Sequence, residues 1–183
     1  MKPLLSFEAV TLRRGGRLLF EGLDLKLGPG EALHVSGPNG SGKTSLIRLA
    51  AGLLRAEMGR VDRTALALAD EALALDRELP LRKALRFWAA NIEPAMAAMG
   101  LDSLADVPVR LLSSGQAKRA TLARVAASAA PLWLLDEPLN ALDADGVERL
   151  DALVARHRAA GGAVLAASHG QLGGDWARLE LNG

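Results

Sequence analysis

The chain has 183 residues, 50% of them hydrophobic and 23% charged, with a formal net charge of +1 and no cysteine. That length and apolar content suffice for one well-cored domain. The near-zero charge gives no field that would recruit nucleic acid or an anionic membrane, and the absence of cysteine excludes a disulfide framework and thiol chemistry and fits a reducing compartment.

Glu8 falls too early for the apolar core of a signal peptide, and no run approaches eighteen apolar residues, so a cytoplasmic chain is expected. Two strand patterns, Leu4–Leu12 and Leu18–Leu27, flank a turn around Gly15-Gly16 and predict an antiparallel β opening. After the tight turn Gly28-Pro29-Gly30, a buried-strand pattern at Glu31–Ser36 runs into Gly37-Pro38-Asn39-Gly40-Ser41-Gly42-Lys43-Thr44, and an amphipathic helix follows at Ser45–Leu54. The eight residues match G-x-x-x-x-G-K-[S/T] between a strand and a helix, the setting that the pattern requires. Glycines let backbone N–H groups turn inward around a phosphate chain at a helix N-terminus. Lys43 then reaches the β and γ phosphates, and the Thr44 hydroxyl is a hard oxygen ligand for Mg²⁺. Nucleoside triphosphate binding is the starting expectation.

Met58–Ala69 reads as a turn followed by a strand at Thr64–Ala69, and Leu79–Asp106 has helical periodicity interrupted at Pro94 and Gly100 and closed by Pro108. Ser113 and Gln116 have capping-box spacing and open a helix through Ala129, with Leu122 and Val125 on one face and Lys118, Arg119 and Arg124 elsewhere. A capped helix start accounts for the serine and the glutamine. It leaves Gly115 unexplained, since glycine in a helix costs about 1 kcal/mol relative to alanine. A glycine there would let an anion approach the backbone.

Leu132-Trp133-Leu134-Leu135 reads as a strand buried on both faces, with Asp136 and Glu137 at its C-terminal end, where ligands of parallel sheets bind. Two adjacent carboxylates there require a cation. Mg²⁺ near Asp136 meets the need, and Glu137 is placed to orient or deprotonate a water attacking the γ phosphate. Asn140–Asp143 leads into a helix at Ala144–Ala160 ended by Gly161-Gly162; a buried strand at Ala163–Ser168 stops at His169, on the same sheet edge as Glu137, and Trp176–Leu181 is a last strand. His34, inside a strand, and His157, on a helix face read as solvated, are taken as structural.

Together, the phosphate loop (Walker A) at 37–44, the signature Leu-Ser-Ser-Gly-Gln at 112–116, a Walker B strand ending in Asp136-Glu137, then Ala141-Leu142-Asp143 and His169 resemble the nucleotide-binding subunits of ATP-binding cassette (ABC) transporters. The wording GPNGSGKTSL, LLSSGQAKRATLAR and WLLDEPLNALD is most similar to the haem exporter ATPases of cytochrome c biogenesis. The resemblance implies an α/β P-loop NTPase of ABC type: one domain over 1–183, a mainly parallel core sheet, an N-terminal antiparallel β subdomain and a helical insert at about 79–128. It further implies a head-to-tail homodimer that binds ATP and Mg²⁺, with Ser113, Gly115 and Gln116 meeting the partner's nucleotide, Glu137 as general base, His169 as switch histidine and Asp143 in the loop linking the two sites. The other expected partner is a transmembrane transporter subunit, through which the protein sits at the cytoplasmic face of a bacterial inner membrane; no nucleic acid partner is expected.

Three positions depart from the family pattern. Arg14 stands where an aromatic residue usually stacks on adenine; a guanidinium can stack on a base face too. Glu71 falls where the family has a Mg²⁺-contacting glutamine, and 52–64 is short. Lys43 and Leu112 lie too close in sequence for the long coiled coil of chromosome-maintenance ATPases, and one cassette argues against a translation factor. A non-hydrolysing scaffold would not need intact Lys43, Asp136, Glu137 and His169. The membrane subunit is expected against 71–75 and 79–88, with one ring of Phe87-Trp88 inward and one outward if both lie on a helix.

Overall fold

The structure, a computed structural model, describes residues 2–181. Strands β1 (Leu5–Arg14) and β2 (Arg17–Leu27) form the expected hairpin, and β3 (Ala32–Ser36) leads through the glycine-rich loop into α1 (Lys43–Ala51). The chain continues with β4 (Met58–Arg63), β5 (Leu66–Ala69), α2 (Leu81–Arg86), α3 (Glu93–Ala98), two short 3-10 turns, α4 (Ser114–Ala127), β6 (Leu132–Asp136), α5 (Ala144–Ala159), β7 (Ala163–Ala167) and β8 (Ala177–Glu180).

Five strands form a sheet in the order β5-β6-β7-β3-β8, and every pairing in it is parallel. The unbroken apolar runs of β6 and β7 follow from this, because a parallel sheet must be covered on both faces. Leu132 and Leu134 join Leu33, Val35 and Leu165 against Leu46, Ile47 and Leu49 of α1 and Phe7 and Val10 of β1. Trp133 and Leu135, one step out of phase, join Val164 and Ala166 on the other face with Leu122 and Val125 of α4 and Leu150 and Leu153 of α5. Side chains alternate across a strand, so one short segment serves two cores.

The second sheet is antiparallel, in the order β2-β1-β4. Its third strand occupies Met58–Arg63, where the sequence predicts a turn. The charges of MGRVDR hide it: only Val61 packs on the core, and pairing with β1 rather than side-chain burial holds the segment. Gly59 is required at the bulge, since its φ is +83° and a Cβ would lie 2.4 Å from the carbonyl oxygens of Glu8 and Ala9.

Two further expectations are corrected. His157 is not on a solvated face; its ring is half-buried and stacks on Trp133 at a centroid distance of 3.8 Å and 9° between planes. Burial holds this imidazole below its ordinary pKa. Nor does either ring of the Phe87-Trp88 pair turn inward: Phe87 is 84% and Trp88 42% exposed. Helix α2 ends at Arg86 with Phe87 as its C-cap, still in helical backbone (φ −61°, ψ −33°), so both rings stand beyond the turn that Leu81, Ala84 and Leu85 bury. The rings meet edge to face at 5.6 Å, and Trp88 is held by its Nε1–H donating to Ala74 O (3.1 Å) and by the Arg124 guanidinium 4.7 Å from its centroid.

Candidate nucleotide site

A parallel sheet brings all its C-terminal strand ends to one edge, and the chain places its chemistry there. The glycine-rich loop follows β3, Glu137 follows β6 and His169 follows β7. A cleft of about 790 Å³ opens at that edge, lined by Asn39, Gly40, Gly42, Lys43, Thr44 and Ser45 from the loop and α1, by Glu137, Asn140 and His169, and by Arg14, Gly15, Arg17 and Leu19 from the β1–β2 hairpin.

The loop is built of positions that only glycine fills easily. A Cβ on Gly37 would stand 2.4 Å from Leu181 O and 2.8 Å from Ser41 Oγ, and φ there is +140°. Gly42, the N-cap of α1, has φ +104° and gives the first-turn N–H groups no capping side chain. Ser41 Oγ is buried among the described residues with no hydrogen-bond partner. Lys43 is 6% exposed and its Nζ curls under the loop, donating to Gly37 O (2.8 Å) and Pro38 O (3.0 Å). Uncapped helix donors, an orphaned hydroxyl and a buried ammonium form a cradle whose chemistry fits a phosphate chain.

Thr44 Oγ1 donates to Asp136 Oδ1 across 3.2 Å, bringing together two of the three residues expected at the metal. Asp136 is 5% exposed; burial pushes its carboxyl up from the ordinary range, the Thr44 hydroxyl opposing and the neighbouring Glu137 adding to the rise. A hydroxyl beside a buried carboxylate is a donor set for a hard divalent cation that takes its remaining oxygens from phosphate and water. Glu71, the third, is exposed and does not line the cleft. Lys118 on α4 approaches from behind, Nζ to Asp136 O at 3.4 Å, and burial holds its ammonium below the usual lysine range.

Glu137 and His169 are joined by sheet register. Asp136 pairs with Ala167, Glu137 N donates to Ala167 O (2.8 Å), and the residues beyond the two strand ends therefore meet. Glu137 takes a positive φ of 46°, its Oε2 accepts from His169 N (3.4 Å), and its Oε1 lies 3.5 Å from His169 Nε2. A carboxylate turned toward the cleft with an imidazole at its side is geometry for holding a water. Arg14 lies at the hairpin end of the cleft with Nη1 donating to Ser45 Oγ (3.4 Å).

Ser113, Gly115 and Gln116 lie elsewhere. They line a separate cleft of about 430 Å³ with Gly100, Leu101, Arg119 and Asp143, which shares no residue with the first. The capping box is complete, Gln116 N donating to Ser113 Oγ (3.2 Å) and Ser113 N to Gln116 Oε1 (2.9 Å). Gly115 also has a reason within the chain: a Cβ would stand 2.8 Å from Ala141 O. Arg17 escapes the sequence reading, and Asn140, Lys118 and Arg119, named there only within longer runs, receive no role from it; each is brought in by its element's packing.

Residues 20–140 match the family model described as ABC transporter. The chain is 57% identical to the cytochrome c biogenesis ATP-binding export protein CcmA of Sphingopyxis alaskensis, over 92% of this chain and 91% of that one. It is 58% identical to the protein of the same name from Novosphingobium aromaticivorans, over 87% and 85%. Among solved structures, a putative ABC transporter ATP-binding protein from Pyrococcus furiosus superposes with a TM-score of 0.83 at 20% identity, over 97% of this chain and 96% of that one.

Proposed function

The chain belongs to the ABC transporter family, as an ATP-binding subunit of ATPase type, and we propose that it powers the export complex of cytochrome c biogenesis. The 57% identity with a relative of that name across nearly the full length of both chains is the observation that carries this reading. ABC ATPase subunits work with transmembrane partners, and among the described residues no helix is long and apolar enough to cross a membrane. The membrane subunit is proposed to dock against residues 71–75 and 79–88, where exposed Phe87 and Trp88 offer aromatic anchors.

In this reading Gly37–Thr44 wraps the triphosphate, Lys43 exchanges its loop carbonyls for β and γ phosphate oxygens, and Arg14 stacks on the base. Thr44 and Asp136 would hold Mg²⁺, which supplies positive charge to the phosphate oxygens when bound. Glu137 takes the proton of the attacking water, and His169 holds that carboxylate and reaches the γ phosphate. Ser113, Gly115 and Gln116, remote from this cleft within one chain, serve the partner's nucleotide in a head-to-tail dimer.

Glu137→Gln tests the scheme, because it keeps the shape of the site and removes the base. ATP hydrolysis should fall at least about a hundredfold, the lower range for loss of a general base, and ATP should hold two subunits together by light scattering. Hydrolysis at the parent rate would place the base elsewhere.

A further inference from the structure

Four charges meet where three elements join. Arg119, on the second turn of α4, is only 14% exposed at its side chain and bonds to Asp143 Oδ1 through Nη2 and to Asp145 Oδ2 through Nη1 (2.9 Å). Asp143 is the N-cap of α5, accepting from Gly146 N (2.9 Å), and Asp145 lies in the first turn of that helix. Arg149 closes the cluster, Nε to Asp145 Oδ2 at 2.8 Å, and reaches back with Nη1 to Ala98 O at the end of α3 (3.4 Å).

Glycines make room for it. A Cβ on Gly146 would lie 3.2 Å from Arg119 Nε, and one on Gly100 would lie 3.4 Å from Arg119 Nη1 and 3.1 Å from Arg149 Cζ. The first turn of α4 also lies close to the loop before α5, since a Cβ on Gly115 would stand 2.8 Å from Ala141 O. Ala141 itself has a positive φ of 66°. Such a backbone conformation persists in a non-glycine residue only when its surroundings hold it.

We propose that Arg119 is a positioning residue that locks the Ser113–Gln116 turn of α4 to the loop running from Glu137 to α5, so that one subunit offers both to its partner as a single rigid piece. The inference rests on the composite-site reading above and adds what keeps the donated half in register. Arginine suits the task because its planar fork bonds two carboxylates at once, whereas a lysine ammonium is a point charge on a flexible stem. Both carboxylates are more than half exposed, so the cluster adds little global stability and acts through orientation.

The test uses the full chain in the Glu137→Gln background. Arg119→Ala should weaken ATP-driven dimerisation about five- to tenfold, the size expected for partly screened charge-assisted bonds, while ATP affinity measured below the dimerisation range stays at the parent value. Hydrogen exchange at 139–146 should rise, with 37–44 unchanged. Arg119→Lys should restore only part of the loss, and Asp145→Asn, which replaces no residue of α4 but removes one of the two carboxylates that Arg119 holds, should raise exchange in the same segment. Dimerisation and exchange equal to the parent's would overturn the proposal, as would an equal loss of ATP affinity, which would make the role merely structural. A Glu137→Gln parent that stays monomeric in ATP would bring down the composite-site reading, and this proposal with it.

Discussion

Gly115→Ala separates two reasons for a glycine in the first turn of α4, because they predict opposite signs. If Gly115 serves only a nucleotide carried by another subunit, alanine improves the isolated chain: the helix gains about 0.5–1 kcal/mol of propensity. In the structure the added Cβ stands 2.8 Å from Ala141 O, where ordinary contact begins at 3.4 Å. The obstacle is backbone and cannot rotate away; it lies in a turn tied by Asn140 N to Glu137 O (3.3 Å) and Leu142 N to Leu139 O (3.1 Å). Overpacking of this kind costs about 1–3 kcal/mol, so at mid-range the propensity gain is outweighed and a net loss of about 1 kcal/mol remains. For a chain of this size each kcal/mol moves the melting temperature by roughly 2–4 °C, which gives a fall of about 2–4 °C. Thermal unfolding of nucleotide-free protein, followed by far-ultraviolet circular dichroism, reads it. A rise in melting temperature would refute the steric argument and return Gly115 to the nucleotide alone.

His157 is held neutral by burial against Trp133, so the unfolded chain takes up its proton first as pH falls below about 6.5; this share of stability is present above that pH and lost below it. His157→Phe keeps a stacked ring and removes the titration, so its melting temperature should fall less between pH 7.5 and 5.5 than the parent's, and equal slopes would contradict the burial argument. The depressed carboxyls of Glu93, Asp143 and Asp145 lose their contribution only near and below their ordinary range around pH 4, outside this window. Phe87→Ala, at an 84% exposed ring, should change stability by no more than about 0.5 kcal/mol yet reduce co-purification with the membrane subunit; undiminished co-purification would move the docking surface elsewhere.

Much of the nucleotide cleft is legible in the sequence because its parts are local. The span from Gly37 to Thr44 is one loop and one helix start, and in the separate cleft the Ser113–Gln116 capping box likewise closes within four residues. Asp136 and Glu137 declare themselves because an apolar strand ending in two carboxylates needs a cation. These signals depend on neighbours a few positions away, and the chain carries them in whatever fold it adopts.

What only the tertiary structure decides is what meets across elements. Glu137 reaches His169 because β6 lies beside β7, and strand order is a property of the sheet and not of either strand. His157 has the sequence context of a surface helix and is half-buried because Trp133, on the strand beneath α5, presents a flat ring to it. The strand at Met58–Arg63 has no apolar alternation and exists because β1 offers an unpaired edge. Gly115 against Ala141 and Arg119 between Asp143 and Asp145 follow the same rule: periodicity and caps are fixed within one turn of chain, while close approach and charge pairing are fixed by which surfaces the packed core turns toward each other.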